Sequence, residues 1–374
     1  VRVDAWLTLL QAAQQITTRP WLDALKLCGS AEALLAAAPR LLVGSESGAE
    51  TLAKLASPDN AKIDRWRAWL DGPHRALITF GSRDYPKRLA EIPDAPLALW
   101  VEGRQRTLLA APQLAIVGSR SPTADGRDTA EQFARYLAQR GLTITSGLAT
   151  GIDGASHRGA VAALGGTVAV LGSGLDVIFP REHTSLAAEI VQRGLLVSEY
   201  APGVEAQRLF FPQRNRIIAG LSLGTLVVEA TRRSGSLITA RLALDYGREV
   251  FAIPGSIHNP LARGCHHLIR QGAKLVEEAA DVLVELAPQL AAAGIELAPE
   301  SASEGPEAPP ATRDPSYAKL LNELGFSPTP IGELSLRTGL TTAELSSMLL
   351  LLELEGQVEA LPGGRYSRRG SKKN

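Results

Sequence analysis

The 374-residue chain is poor in several things, and each scarcity removes a class of function. It has two cysteines, Cys28 and Cys265. They form neither a disulfide framework nor a metal-ligand pattern, and a reducing cytoplasm suits them best. No apolar run reaches eighteen residues, so no membrane span is expected. The first residues, Val1 to Trp6, lack the apolar core and small-residue cleavage site of a signal peptide. The formal net charge is zero, so global charge announces no polyanionic partner. Gly-Lys-Ser/Thr, His-Glu-x-x-His, Cys-x-x-Cys and Gly-x-Ser-x-Gly are all missing, and with them the usual phosphate-loop, zinc-hydrolase, redox and serine-hydrolase readings. Lysine is nearly absent from the middle of the chain. Between Arg106 and Glu285 there are 18 basic residues, and all but Lys274 are arginine. Guanidinium forks match phosphates and stack on bases better than ammonium groups do, although a GC-rich genome would also favour arginine.

At this length two or three domains are expected. Residues 1–72 read as a small helical unit. Trp6, Leu7, Leu9 and Leu10 begin one apolar stripe, and Trp21, Leu22, Leu25 and Leu27 a second. Ser30 caps a third helix that Pro39 is expected to stop. A proline-rich segment, Leu77 to Gly103, reads as extended and docks on a neighbour. From Leu114 to Leu286 strands alternate with helices. The strands are Leu114–Val117, Leu142–Thr145, Thr167–Leu171, Leu195–Ser198, Thr225–Val228, Glu249–Ile253 and Lys274–Val276. They are continuous apolar runs, as in a parallel sheet covered on both faces. The fold class is therefore α/β, an extended Rossmann-like, doubly wound, mostly parallel sheet over residues 77–286. Residues 287–315, rich in Ala, Pro, Glu and Ser, predict a mobile linker. Residues 316–374 predict a winged helix with a basic tail, its third helix opened by a capping box, Thr341 to Glu344.

The stretch Phe210 to Arg241 carries the strongest chemical signal. An amphipathic segment holds Arg214, Asn215 and Arg216, a buried-type strand follows, and Ser234-Gly235-Ser236 leads into the next helix. Open α/β sheets bind ligands at the carboxyl ends of their strands, where helix starts offer free N–H groups to anions. Gly118-Ser119-Arg120 follows the first parallel strand in the same manner, and Ser146-Gly147 follows the second. None of these turns is Gly-x-Gly-x-x-Gly, and no acidic residue stands where a ribose needs one, so a dinucleotide is disfavoured. Asp153 reads as a helix-start residue, and His157 as a packing residue inside a helix. Cys265 and His266, adjacent in sequence, cannot easily meet as a nucleophile pair. No catalytic residue, cofactor or metal is expected.

Taken in order, these segments resemble one family. Ile116-Val117-Gly118-Ser119-Arg120 is followed by Ser146-Gly147 with Gly151-Ile152-Asp153. Next come Gly172-Ser173-Gly174-Leu175-Asp176 with Phe179-Pro180, and Ser198-Glu199-Tyr200. Phe211-Pro212-Gln213-Arg214-Asn215-Arg216, Ser234-Gly235-Ser236 and Pro254-Gly255 complete the set. This pattern resembles the DNA-processing protein A family (DprA, or Smf) from about Leu77 to Leu286. The chain departs from it at Thr150, where arginine is common, and at His183 and His266, where asparagine is usual. Gln14-Gln15-Ile16-Thr17 stands in place of a glycine-containing hairpin. The resemblance implies a sterile-alpha-motif-like N-terminal piece and a non-enzymatic protein that binds single-stranded DNA. It also implies a homodimer formed through the core, protection of incoming strands, and loading of the RecA recombinase during natural transformation. The implied DNA contacts are Gly118, Ser119, Arg120, Ser146, Gly147, Arg214, Asn215, Arg216, Ser234, Gly235 and Ser236, with Arg208 and Phe211 as further ones. On this reading, replacing Arg120 and Arg214 with alanine lowers affinity without unfolding the core.

Two alternatives are weaker. Nucleoside monophosphate hydrolases of the lysine-decarboxylase-like group share such a sheet but need Pro-Gly-Gly-x-Gly-Thr-x-x-Glu. Here that place, Ala219 to Glu229, lacks the glycine pair, and Glu229 comes four residues after Thr225 where the motif needs three. A winged helix that reads duplex DNA would need basic residues on its third helix, which carries Glu344, Glu353 and Glu355 instead.

Overall fold

Five helices open the chain: α1 (Val3–Ala13), α2 (Thr18–Cys28), α3 (Ala31–Leu41), α4 (Gly48–Ala56) and α5 (Asn60–Leu70). The structure is a computed structural model that describes residues 3–13, 18–41, 48–298, 315–326 and 328–369. Gln14 to Thr17, most of the linker and the end of the basic tail lie outside the described residues. Ser30 caps α3 as expected, its Oγ accepting from the Ala33 N–H at 3.1 Å. Pro39 does not stop this helix, which runs on to Leu41. Leu27, expected on the buried stripe of α2, is exposed. Trp6, Leu9, Trp21 and Leu22 share one apolar cluster with Ile78, Leu97 and Ile217, so the first helices are built into the core of the sheet that follows.

That sheet has nine strands: β1 (Arg75–Thr79), β2 (Ala98–Glu102), β3 (Gln113–Gly118), β4 (Thr143–Ser146), β5 (Thr167–Leu171), β6 (Leu195–Ser198), β7 (Gly224–Val228), β8 (Glu249–Ala252) and β9 (Lys274–Leu275). Their spatial order is β1-β2-β6-β5-β4-β3-β7-β8-β9. The seven from β3 to β9 are parallel, and every residue of β5, β6 and β7 is buried, which is why they read as unbroken apolar runs. The proline-rich segment adds β1 and β2 antiparallel at the β6 edge, with a short α6 (Lys87–Ala90) between them. Trp100, on β2, is buried between Trp66 and Trp69 of α5, both ring pairs edge-on at 5.7 Å.

The covering helices are α7 (Ala124–Gln139), α8 (Ile152–Ala160), α9 (Thr184–Arg193), α10 (Phe210–Leu221), α11 (Ser236–Asp245), α12 (Arg263–Arg270) and α13 (Ala279–Ala292). The last of these passes straight through Pro288, where the linker was expected to begin, because Val282, Leu286 and Leu290 anchor it in the second apolar cluster.

A separate compact unit follows. It contains α14 (Pro315–Leu324), β10 (Thr329–Pro330), α15 (Ile331–Thr338), α16 (Thr342–Leu354), β11 (Val358–Leu361) and β12 (Arg365–Arg368). Gly339 ends α15 at a φ of 74°, and Thr341 and Glu344 close the expected capping box at the start of α16. β11 and β12 form the hairpin, with β10 as a third strand, completing a winged helix.

Candidate functional site

β3 and β7 lie side by side, and the chain leaves them in opposite directions, β3 towards β4 and β7 towards β8. A crevice opens beyond the carboxyl ends of two such strands. Gly118 pairs in register with Val228, which makes the turns after the two strands immediate neighbours. Any side chain at Gly118 would strike the Val228 carbonyl and Ile152. The Ile152 N–H donates to the Ser119 carbonyl at 3.1 Å, tying the first turn to the start of α8. Arg120 leaves this turn into solvent. It is exposed, makes no ion pair among the described residues, and stands 5.6 Å from the centre of the Phe211 ring.

The other two arginines behave differently. Arg214 is 4 % exposed. Its Nη1 donates to the carbonyls of Gly147 and Val170, and its Nη2 lies 3.9 Å from the Asp153 carboxylate. Asp153 in turn accepts from the N–H groups of Gly147 at 3.1 Å and Ala149 at 3.3 Å. Burial pushes the Arg214 pKa down to about 10 against the pull of Asp153, and burial raises that of Asp153 against the pull of Arg214. The pair is a clamp that fixes the β4–α8 turn to the end of β5. Arg216 is gripped in the same manner. Its Nη1 and Nη2 meet both Glu199 oxygens at 2.9 and 2.6 Å, and its Nε donates to the Asp94 carbonyl at 2.8 Å. Burial alone would lower the Arg216 pKa, but the Glu199 and Asp94 carboxylates outweigh it and hold the group charged. Both guanidiniums therefore face the protein, and of the three core arginines expected at the site Arg120 alone faces solvent.

Ser146 is buried, with its hydroxyl donating to the Ile116 carbonyl at 2.6 Å. Gly147 sits above Arg214 with no room for a side chain. Asn215 reaches the Gly235 carbonyl at 3.5 Å, linking α10 to the turn that starts α11. In that turn the Ser234 and Ser236 hydroxyls bond each other at 2.7 Å, and the space beside Gly235 is open. Arg208 is exposed just before α10. Phe211 is half-buried, its ring tilted against Phe179 at 5.4 Å. Phe179 is 51 % exposed, unusual for a phenylalanine, and no reading of the sequence marked it as a contact. Val177 and Ile178 before it continue an apolar run, and Pro180 after it is a turn residue.

The remaining titratable candidates are structural. The His157 Nε2 accepts from the Leu148 N–H at 3.3 Å, and its Nδ1 lies 2.7 Å from the Thr167 hydroxyl. Burial and the nearby positive groups push its pKa down to about 3. Cys265 is buried, and burial pushes its thiol up to about 11. His266 bonds the Gly255 backbone at 3.0 Å. Among the described residues no group of three or more His, Cys, Asp or Glu is placed to hold a metal ion.

The model of the DNA recombination-mediator protein A family matches residues 76–287, and that of the DprA winged helix domain matches residues 304–364. Protein Smf of Escherichia coli is 46 % identical over 305 residues, covering 81 % of this chain and 80 % of that protein. DNA processing protein DprA of Streptococcus pneumoniae is 49 % identical over 201 residues, 54 % of this chain and 71 % of that one. The X-ray structure of the Streptococcus pneumoniae protein superposes with a TM-score of 0.68 at 38 % identity, covering 76 % of this chain and 98 % of that chain. A Helicobacter pylori DNA processing protein A structure, described as giving insight into a unique single-stranded DNA binding mode, superposes at 0.52 with 29 % identity. It covers 58 % of this chain and 98 % of that chain. The ordered turns at the switch point, the winged helix and these likenesses place the chain in the DNA recombination-mediator protein A family.

Proposed function

We propose that this family member grips single-stranded DNA at the β3–β7 switch point and alters no bond in it. The observation that carries the reading is Arg120: an exposed guanidinium with no acidic partner among the described residues, beside an aromatic ring, on the small-residue turn that leaves β3 at the switch point of the sheet. Binding a strand without reading its sequence needs backbone donors, cationic groups and a stacking surface. Ser119 and Gly235 supply the first, Arg120 and Arg208 the second, Phe211 and Phe179 the third, while the Ser234 and Ser236 N–H groups are spent inside their own turn, on the Thr231 carbonyl and the Ser234 hydroxyl. Gly118, Ser146, Gly147, Arg214, Asn215 and Arg216 shape the crevice from behind.

The neutral, internally bonded His157 and the raised Cys265 thiol support binding in place of catalysis. The protein works as a homodimer in the cytoplasm and passes its strand to the RecA recombinase. Two copies double the track and make attachment cooperative. The third winged-helix helix, α16, exposes Leu350, Leu351 and Leu354 and has no basic residue, which favours a protein contact there over duplex DNA.

Gel shifts of single- and double-stranded oligonucleotides across a salt series, with molecular mass measured in parallel, test the reading. Preferential retention of the single strand, weakening steeply with salt, is expected. Equal affinity for duplex, or release of free base from nucleoside monophosphates, would overturn it.

A further inference from the structure

The crevice has two flanks. Arg120 charges one of them. The other, made by the turn after β7 and the start of α12, has so far contributed only its Ser-Gly-Ser turn. The sequence there is acid-free. Ala230–Leu244 and Pro254–Val276 together hold Arg232, Arg233, Arg241, Arg263, Arg270 and Lys274, and no Asp or Glu. Arg232, Arg233 and Arg263 are exposed, with no ion pair among the described residues. Packing brings them to one corner. The Gly264 N–H donates to the Ala230 carbonyl at 2.7 Å, and a side chain at Gly264 would strike the carbonyls of Ala230 and Thr231. Arg263 therefore enters the corner one residue from a backbone contact with the turn that carries Arg232 and Arg233. The closest acid in sequence, Glu229, is turned away. Its φ is 52°, and its carboxylate lies against Gly126 at the start of α7.

We infer that Arg232, Arg233 and Arg263 form a second phosphate-binding segment, which takes the sugar-phosphate backbone of a strand after it leaves the Arg120 crevice. The inference rests on the proposed function and adds a direction to it. The strand runs across the switch point, from the β3 side to the β7–α12 side, so a short oligonucleotide fills the first segment and a long one engages both. Three exposed like charges, none in an ion pair among the described residues, suit a polyanion whose position is set by charge and not by base identity.

The test compares labelled oligothymidylates of about 6 and about 30 nucleotides, lengths on either side of a single-fold binding site. Fluorescence anisotropy is read across a salt series with the full chain and the triple variant R232Q/R233Q/R263Q. The expected result is unchanged affinity for the short strand. For the long one a loss of at least tenfold is expected, together with a fall of about 2 in the slope of log K against log salt. The variant R232K/R233K/R263K should recover most of the long-strand affinity, because the charge is kept. An equal loss at both lengths, no loss at the long one, or a change in molecular mass would overturn the inference, the last assigning the corner to contacts between copies. If the unmodified chain bound neither oligonucleotide, the underlying reading would fall as well, so the two failures are distinguishable.

Discussion

Arg214 lies directly beneath Gly147, its guanidinium occupying the space where a side chain at 147 would start. The glycine is therefore required by a close approach and not by its backbone angle. Gly147→Ala must push Arg214 off the Gly147 and Val170 carbonyls or lift the β4–α8 turn. Overpacking of this kind costs about 1–3 kcal/mol. The expected outcome is a lower midpoint in urea together with weaker strand binding. A variant of unchanged stability would mean that the turn yields freely.

Arg120 and Arg214 should separate cleanly when each is replaced alone. Arg120→Ala removes an exposed charge and should weaken oligonucleotide binding roughly tenfold, about 1.4 kcal/mol, with an unchanged melting temperature. Arg214→Ala strands a buried Asp153 and leaves two carbonyls without their donor. Removing one partner of a buried pair costs about 3–5 kcal/mol. Its binding defect should therefore come with a large drop in melting temperature, contrary to the expectation from sequence that both arginines could be removed without harm to the core. Thermal melts run beside the binding curves decide the matter.

Glu199 and Arg216 make a second buried pair whose removal should be felt in stability first. Glu199→Gln takes the two-pronged carboxylate from the buried Arg216 guanidinium and leaves it the half-exposed Asp94 at 3.3 Å, a loss of about 1.5–3 kcal/mol. Replacing both residues with methionine should recover part of that loss, because the enclosed guanidinium is gone and the Asp94 carboxylate left behind is half-exposed to water. A double-mutant cycle in urea measures the coupling. A coupling near zero would make the pair a surface-type contact.

Stability should fall in mild acid through His157. Its pKa is about 3 in the folded chain, held down by burial first and by His183, Arg214 and Arg158 after it. In the unfolded chain an imidazole titrates near 6.5. Between about pH 3 and 6.5 the unfolded state binds a proton that the folded state does not. The contribution is thus complete above about 6.5 and declines by about 1.4 kcal/mol per pH unit below it. Asp153, with its pKa raised by burial, works in the opposite direction just above the ordinary aspartate range. Melting temperatures from pH 4.5 to 8 should slope downward on the acid side, and His157→Gln should flatten that slope. An equally steep profile in the variant would assign the acid loss to other groups.

The parallel strands were legible because burial on both faces leaves a signature in consecutive residues, as in Thr167–Leu171 and Leu195–Ser198. The location of the crevice was legible too, since a small-residue turn directly after a strand is a local pattern. The direction of the arginines was not. Arg214 bonds carbonyls 67 and 44 residues away in sequence, and no local rule links position 214 to Gly147 or Val170. Arginine is mostly exposed in proteins, so the ordinary expectation pointed outward. The helix ends at Pro39 and Pro288 were misplaced for a related reason. A proline removes one backbone bond, while the anchoring of α13 by Leu286 and Leu290, on either side of Pro288, comes from tertiary contacts that its own sequence does not reveal.

Phe179 offers the sharpest test of how a base is held. Its ring is half in solvent, packs at 44° against Phe211, and shares with Arg120 the neighbourhood of that second ring. Core burial does not explain it, since an exposed phenyl gains little from packing on one side. Stacking of a base on an aromatic face is worth about 1–3 kcal/mol and tolerates any base. Phe179→Ala should therefore weaken oligonucleotide binding by roughly tenfold while leaving the melting temperature within a degree or two, as expected for a side chain that carries little of the core. Phe179→Trp should bind as tightly as the unmodified chain or more so, and its indole fluorescence should be quenched on adding oligothymidylate, which a merely structural ring would not show. Tight binding by the alanine variant would remove Phe179 from the interface and leave Phe211 as the stacking surface.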